Sequence, residues 1–168
     1  MSGTQIPAAH DSEYEGRPFL TCTRCGEMLA EIPQGHQVVK YWHNREVVYE
    51  FAVCHPCHAS VLGEFSEESL DRLRTFHAER FRLNLGRGAC AVCCRSAAEL
   101  PEDEFSLTGL FSGNTLQHET LICGACTREM EALMSEKTRG VWERFVEHHF
   151  PTAPADVLTT PGTLLTTH

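Results

Sequence analysis

Cys22-Thr23-Arg24-Cys25 and Cys54-His55-Pro56-Cys57, followed by Cys90-Ala91-Val92-Cys93 and Cys123-Gly124-Ala125-Cys126, are the stretches that decide how this chain folds. Each Cys-x-x-Cys turn sets two thiols on one side of a tight loop. Two such turns together can close a tetrahedron around a borderline-soft cation such as Zn2+. The spacing groups them into two sets: 28 residues separate Cys25 from Cys54, and 29 separate Cys93 from Cys123. One Cys-x-x-Cys pair is equally at home in a redox motif, whereas two complete sets at nearly equal spacing point to two metal sites. The expected ligands are Cys22, Cys25, Cys54 and Cys57 for one ion, and Cys90, Cys93, Cys123 and Cys126 for the other. Cys94 is the one cysteine left over.

The competing use of eight cysteines is a disulfide framework. The opening Met1-Ser2-Gly3-Thr4 lacks the basic start, apolar run and small-residue cleavage site of a secretory signal. The expected location is therefore the reducing cytoplasm, where structural disulfides are rare. A catalytic zinc keeps one coordination position open for water or substrate, and four thiolates leave none. Both ions are accordingly read as structural and the protein as non-enzymatic. Spacing alone does not separate zinc from iron.

The composition is that of a globular protein, with 42% hydrophobic and 22% charged residues in 168. Units of roughly 60 residues bury little apolar surface, and a structural zinc contributes on the order of 10 kcal/mol to folding in small peptides. The net charge of −9 argues against a phosphate-binding surface over the whole molecule. No run of apolar residues is long enough to span a membrane.

The two sets belong to a longer self-similarity. A shift of 68 residues carries Cys22 and Cys25 onto Cys90 and Cys93, and a shift of 69 carries Cys54 and Cys57 onto Cys123 and Cys126. The same 69-residue shift matches Glu50 with Glu119, Val53 with Ile122, Ser66 with Ser135, Leu73 with Trp142 and Phe76 with Phe145. A duplication is the simplest source. The expected organisation is a mobile tail over 1–17, zinc-binding repeats over 18–85 and 86–150, and a mobile tail over 151–168, where Leu164-Leu165 could serve as a docking peptide.

Within each repeat the first cysteine pair precedes a hairpin. Residues 37–42 and 46–53 flank the turn at His43-Asn44-Arg45, and residues 105–122 fold back at Ser112-Gly113-Asn114. Helices are expected over 58–65 and 127–134, which places the second pair of each set at a helix start, where unpaired N–H groups and the helix dipole stabilise thiolates. Ser66 and Ser135 offer N-caps for a further helix in each half. There Leu70, Leu73 and Phe76, and Val141, Trp142, Phe145 and Phe150, recur at helical spacing, facing a core shared with the other half.

The order knuckle, hairpin and second pair at a helix start resembles the treble-clef zinc finger over residues 19–66 and 87–135. The resemblance implies an α+β fold of two tandem zinc-stabilised treble-clef-like units packed with pseudo-two-fold symmetry. It does not imply one function, because that class includes nucleic-acid-binding, nuclease and protein-binding modules. Gly26 stands where such knuckles need a positive φ, and Cys94 occupies that position in the second half, as a strained spectator thiol or an alternative ligand to Cys93. Rubredoxin-like iron sites are similar, but the helical sequence after Cys57 and Cys126 departs from them.

The expected partner is another protein. Nucleic-acid binding is the second possibility, resting on Arg72, Arg74, Arg80, Arg82 and Arg87, although Glu67, Glu68, Asp71 and Glu79 interleave them as in a solvated, ion-paired helix. Thiol redox or iron–thiolate electron transfer comes third. His43-Asn44 has a superficial likeness to a His-Asn-His nuclease without the supporting residues. His55 and His58 flank Cys57, either as helix-surface imidazoles or as neighbours of a thiolate.

Overall fold

The hydrophobic alternation in residues 36–54 and 104–123 forms two long hairpins that join into one sheet. In the computed structural model, which describes residues 8–100 and 104–149, β3 (His36–His43) pairs with β4 (Glu46–Cys54), and β5 (Glu104–Ser112) with β6 (Thr115–Cys123). Antiparallel pairing of β3 with β5 completes the order β4-β3-β5-β6. Phe150, Leu164-Leu165 and the rest of both expected tails beyond 8 and 149 lie outside the described residues. Among the described residues, four α-helices and two antiparallel sheets make the architecture mixed. No helix among the described residues is long and apolar enough to cross a membrane.

The 69-residue offset governs the sheet register. His36 opposes Cys54 in the first hairpin and Phe105 opposes Cys123 in the second; a bulge falls at Tyr41/Trp42 in one and at Leu110/Phe111 in the other. Across the seam, His36 faces Phe111 and Trp42 faces Phe105, so Val39 and Thr108, themselves 69 apart, meet at its centre. Asn44 and Arg45, both at positive φ, make the two-residue turn between β3 and β4.

Each hairpin leads into a short helix, α1 (His55–Gly63) or α3 (Gly124–Glu131), and then a longer one, α2 (Glu67–Arg80) or α4 (Glu136–His149). The long helices are exchanged between halves. Trp142, Phe145 and Val146 of α4 lie in the core with Val39, Phe51 and Val53, while Leu73 of α2 packs with Leu107, Ile122 and Met130 of the second half. The Phe51 ring meets Phe145 at 5.3 Å and Trp142 at 6.1 Å between centroids. The core is thus shared, as the helical spacing predicts, and the packing crosses between the N-terminal and C-terminal halves.

Where the two long helices begin, their caps interlock. Ser66 accepts from the Ser69 N–H at 3.1 Å and Ser135 from the Thr138 N–H at 3.3 Å, both as N-caps. The Ser66 N–H donates to Thr138 Oγ1 at 2.9 Å, the Ser135 N–H donates to Ser69 Oγ at 2.8 Å, and the two cap hydroxyls meet at 2.9 Å. Ser69 and Thr138 are fully buried, so these hydroxyls satisfy one another in place of water.

The opposite face of the sheet is covered by a segment expected to be a patternless tail. Residues 8–18 form a 3-10 turn and the small β1 (Asp11–Ser12) and β2 (Arg17–Pro18) ribbon, with His10 and Ser12 buried. Glu50 and Glu119, matched at the 69-residue offset, anchor it. Ser12 Oγ donates to Glu50 at 2.6 Å, and the His10 ring bonds Glu119 at 2.8 Å. Lys40, buried between them, donates to the Asp11 carbonyl at 2.7 Å. Its counterpart at the offset is Gly109, where a Cβ would sit 2.6 Å from the His10 ring. The pair breaks the likeness of the halves and decides where the segment lies.

Trp142→Ala removes the largest fully buried side chain and should cost about 3–5 kcal/mol in denaturant unfolding. Because α4 covers the first half, amide exchange should rise at Phe51 and Val53, although 89 residues or more separate them from the substitution. Protection lost only in the second half would contradict the exchanged packing.

Candidate metal centres

The first turn of each set is a tight knuckle whose backbone is bonded to itself. The Cys22 N–H donates to Glu27 O and the Gly26 N–H to Cys22 O, both at 2.9 Å; Cys90 N–H to Arg95 O and Cys94 N–H to Cys90 O reproduce this at the same distances. Each knuckle is pinned to the outer strand of its hairpin, by Thr23 N–H to Ala52 O at 2.7 Å and by Ala91 N–H to Leu121 O at 2.8 Å. The second turn is the strand-to-helix junction itself. Cys54 and Cys123 are the N-cap residues of α1 and α3 in extended conformation, and no side-chain hydroxyl or carboxylate caps either helix. Cys57 and Cys126 follow in the first turn of each helix.

This brings all eight expected cysteines into two groups of four whose sulfurs lie within 4.8 Å of one another. The Cys25 and Cys54 sulfurs, and likewise Cys93 and Cys123, are 3.9 Å apart. A tetrahedron with metal–sulfur bonds of about 2.3 Å has edges of about 3.8 Å, whereas a disulfide needs about 2.05 Å. No cysteine is in a disulfide. The donor set and its spacing fit a metal ion in each group.

Four thiolates in such contact repel one another unless a cation compensates them. Burial raises the Cys22 thiol, yet backbone N–H donors at Cys25, Cys54 and Arg24 outweigh it and hold it at about 7. Burial pushes Cys54 up to about 12 and raises Cys57 as well. In the second group, donation from Cys126 and Cys90 pulls Cys123 down to about 3, and the same contacts raise Cys126. One sulfur of each group thus ionises readily and a neighbour resists. Backbone donors help both groups alike: Cys54 N–H reaches Cys22 Sγ and Cys123 N–H reaches Cys90 Sγ, each at 3.4 Å. Arg95, beside the Cys93 and Cys123 sulfurs, has its own pKa raised by them. Outer donors and a nearby cation of this kind stabilise a dianionic metal–thiolate centre.

Comparison of the chain with protein-family models, with curated proteins and with solved structures found no match.

The leftover residues sort clearly. Cys94 is exposed at φ 64°, Gly26 is at φ 78°, and the second group is formed with Cys93. His55 and His58 belong to neither group, His55 being exposed and His58 buried beside the first turn of α1. The arginine run is largely ion-paired: Arg72 with Glu68, Arg80 with Glu129 and Arg87 with Glu119. A carboxylate that the sequence did not single out, Glu104, accepts from Tyr41 Oη and from Arg128 in the last turn of α3. Burial opposes its ionisation, and those two donors hold it below the usual carboxylate range.

A non-glycine residue in the left-handed region costs about 1 kcal/mol. Cys94→Gly should therefore stabilise the protein by that order in a urea titration and leave its metal content unchanged. Loss of one metal equivalent in Cys94→Ala would instead make Cys94 a ligand.

Proposed function

We propose that each four-cysteine group holds one structural Zn2+, and that the chain is a duplicated pair of treble-clef-like units related by a pseudo-two-fold axis through the Val39–Thr108 pair. The observation that carries this reading is the pair of tetrahedral sulfur clusters, each joining a knuckle to a strand-to-helix junction. The shared register, the bulges and the reciprocal serine–threonine caps at the same offset support the duplication. Four sulfurs fill the coordination of each ion, which favours a scaffolding role over catalysis. The helices that follow the second pairs favour zinc over a rubredoxin-like iron centre.

The activity of such a module lies on its surface, and its partner is a protein. Pairing of Arg72, Arg80 and Arg87 with carboxylates, in a chain of net charge −9, leaves little field to attract a polyanion. Apolar side chains do reach solvent at Tyr14 and, flanking the Thr21–Met28 bridge of the first knuckle, at Leu20 and Met28. Such a surface suits a protein contact better than a phosphate backbone.

Elemental analysis of the purified full chain should give two zinc ions per molecule in a colourless protein. A strong chelator should unfold both halves in a single transition, since the exchanged helices leave neither core complete alone; acidification should do the same as protons displace the metal from the thiolates. A chain that keeps its far-ultraviolet and near-ultraviolet circular dichroism after complete metal removal would overturn the structural role. Fluorescence anisotropy with a short DNA duplex at low salt should show no binding, and binding that weakens steeply with added salt would move the reading to nucleic acid.

A further inference from the structure

Residues 10–18 are held on the sheet without aliphatic or aromatic mass. Within that stretch only His10 and Ser12 are buried, and Tyr14, its one large apolar side chain, is 83% exposed. What fastens it is a short run of polar contacts. Ser12 Oγ and the Glu13 N–H both donate to the Glu50 carboxylate, at 2.6 and 2.9 Å, and Lys40 Nζ donates to the Asp11 carbonyl. On the far side of the sheet His10 reaches β6, its Nε2 2.8 Å from Glu119 Oε2. A segment docked by hydrogen bonds to charged groups, with little apolar burial, is sensitive to one change of charge at a contact.

The His10 ring sits in a place shaped for its neutral form. It is buried over Gly109 and stands edge-on to Phe111, 5.5 Å between centroids. Burial opposes the ionisation of Glu119, but its Arg87 and His10 donors outweigh it and hold the carboxyl below its usual range. Nε2 therefore carries the ring's hydrogen, and Nδ1 is left buried with no hydrogen-bond partner. A second proton would place an N–H on Nδ1 with no acceptor before it. The charges that face the ring do not compensate. Glu119 of β6 already shares its other oxygen with Arg87, at 2.8 Å. Lys40 of β3, 3.2 Å from Glu13 and 4.0 Å from Glu50, adds positive charge, and His36, across the Phe111 ring, is held to about 4 by burial. Burial holds His10 below the ordinary imidazole value; the Glu119 contact opposes this, and Arg87 and Lys40 lower it further.

We propose that residues 8–18 are an acid-released strap: uptake of one proton by His10 detaches the segment and uncovers the sheet face that carries Lys40, Glu50 and Phe111. The sign follows from linkage. A detached His10 takes its proton near pH 6.5, at about the ordinary imidazole value, and a docked one only below that. Docking is at full strength above that pH. It weakens by up to about tenfold per pH unit as the pH falls from there to the docked value. None of these contacts is made by a cysteine, so the strap stands apart from the identity of the metal.

The test is nuclear magnetic resonance on the metal-loaded full chain from about pH 8 to about pH 5.5, a range that brackets an ordinary imidazole, with bound metal measured at each pH. The His10 ring should titrate below about 6.5, and its contacts with the Phe111 ring should fade over the same range. The Glu13 amide, corrected for the intrinsic pH dependence of exchange, should lose protection by up to about tenfold per pH unit. The Val39 and Thr108 amides of the seam and the metal content should not change. His10→Gln, whose amide can donate to Glu119 and does not titrate, should keep Glu13 protected throughout. A His10 midpoint at or above the ordinary value, Glu13 protection indifferent to pH in the parent, an equal loss in His10→Gln, or opening that comes only as metal leaves would each overturn the proposal. Should the glutamine variant fail to dock even at the alkaline end, the parent decides: a ring titration that coincides with loss of the His10–Phe111 contacts supports the strap, and one that leaves those contacts intact refutes it.

Discussion

Convergence of four cysteine sulfurs on one point, at two places in the chain, is the constraint from which the rest of this structure follows. The knuckle has no hydrophobic mass of its own, and α1 and α3 are nine and eight residues long, too short to persist alone in water. Each cluster ties a knuckle, the outer edge of a hairpin and a helix start into one point. The local chemistry is arranged for it: extended N-cap cysteines present sulfur where a helix elsewhere would present serine or aspartate, and the Cys54 and Cys123 N–H groups donate to Cys22 and Cys90 sulfurs. Without a cation the same four corners would hold mutually repelling thiolates or buried protonated thiols.

The two clusters do not make two independent domains. Exchange of the long helices puts Trp142 over the first hairpin and Leu73 over the second, and the interlocked caps at Ser66, Ser69, Ser135 and Thr138 fix the crossing point. Each half of the sequence completes the core of the other. A small unit that buries too little alone reaches adequate burial by packing with the other half. The sheet seam, centred on Val39 and Thr108, extends the same logic through backbone hydrogen bonds.

Much of this is legible in the residues. The cysteine spacing locates both clusters, period-two alternation finds the hairpins, and the serines ahead of acidic first turns mark both long helices. Periodicity predicts that Leu73 and Trp142 face a core shared with the other half, but not that each long helix crosses onto the other half's hairpin. Residues 8–18 escape for a different reason: Ser12 and His10 are polar, have no period, and are buried only because Glu50, Glu119 and Lys40 meet them across the sheet. Their signal was present as the Glu50–Glu119 match, two acidic residues at equivalent strand positions that each need a partner. Glu104 was missed because it precedes the hairpin boundary expected at 105.

Zinc-edge X-ray absorption on the full chain distinguishes closed, all-sulfur zinc centres from any other assignment of the two clusters. Four sulfur neighbours per zinc at about 2.3 Å, with no nitrogen or oxygen in the coordination shell, are expected. A mixed shell containing nitrogen or oxygen would contradict the zinc–sulfur assignment, because a histidine or water would then stand where Cys25, Cys57, Cys93 or Cys126 is placed. So would an absorption edge that belongs to iron.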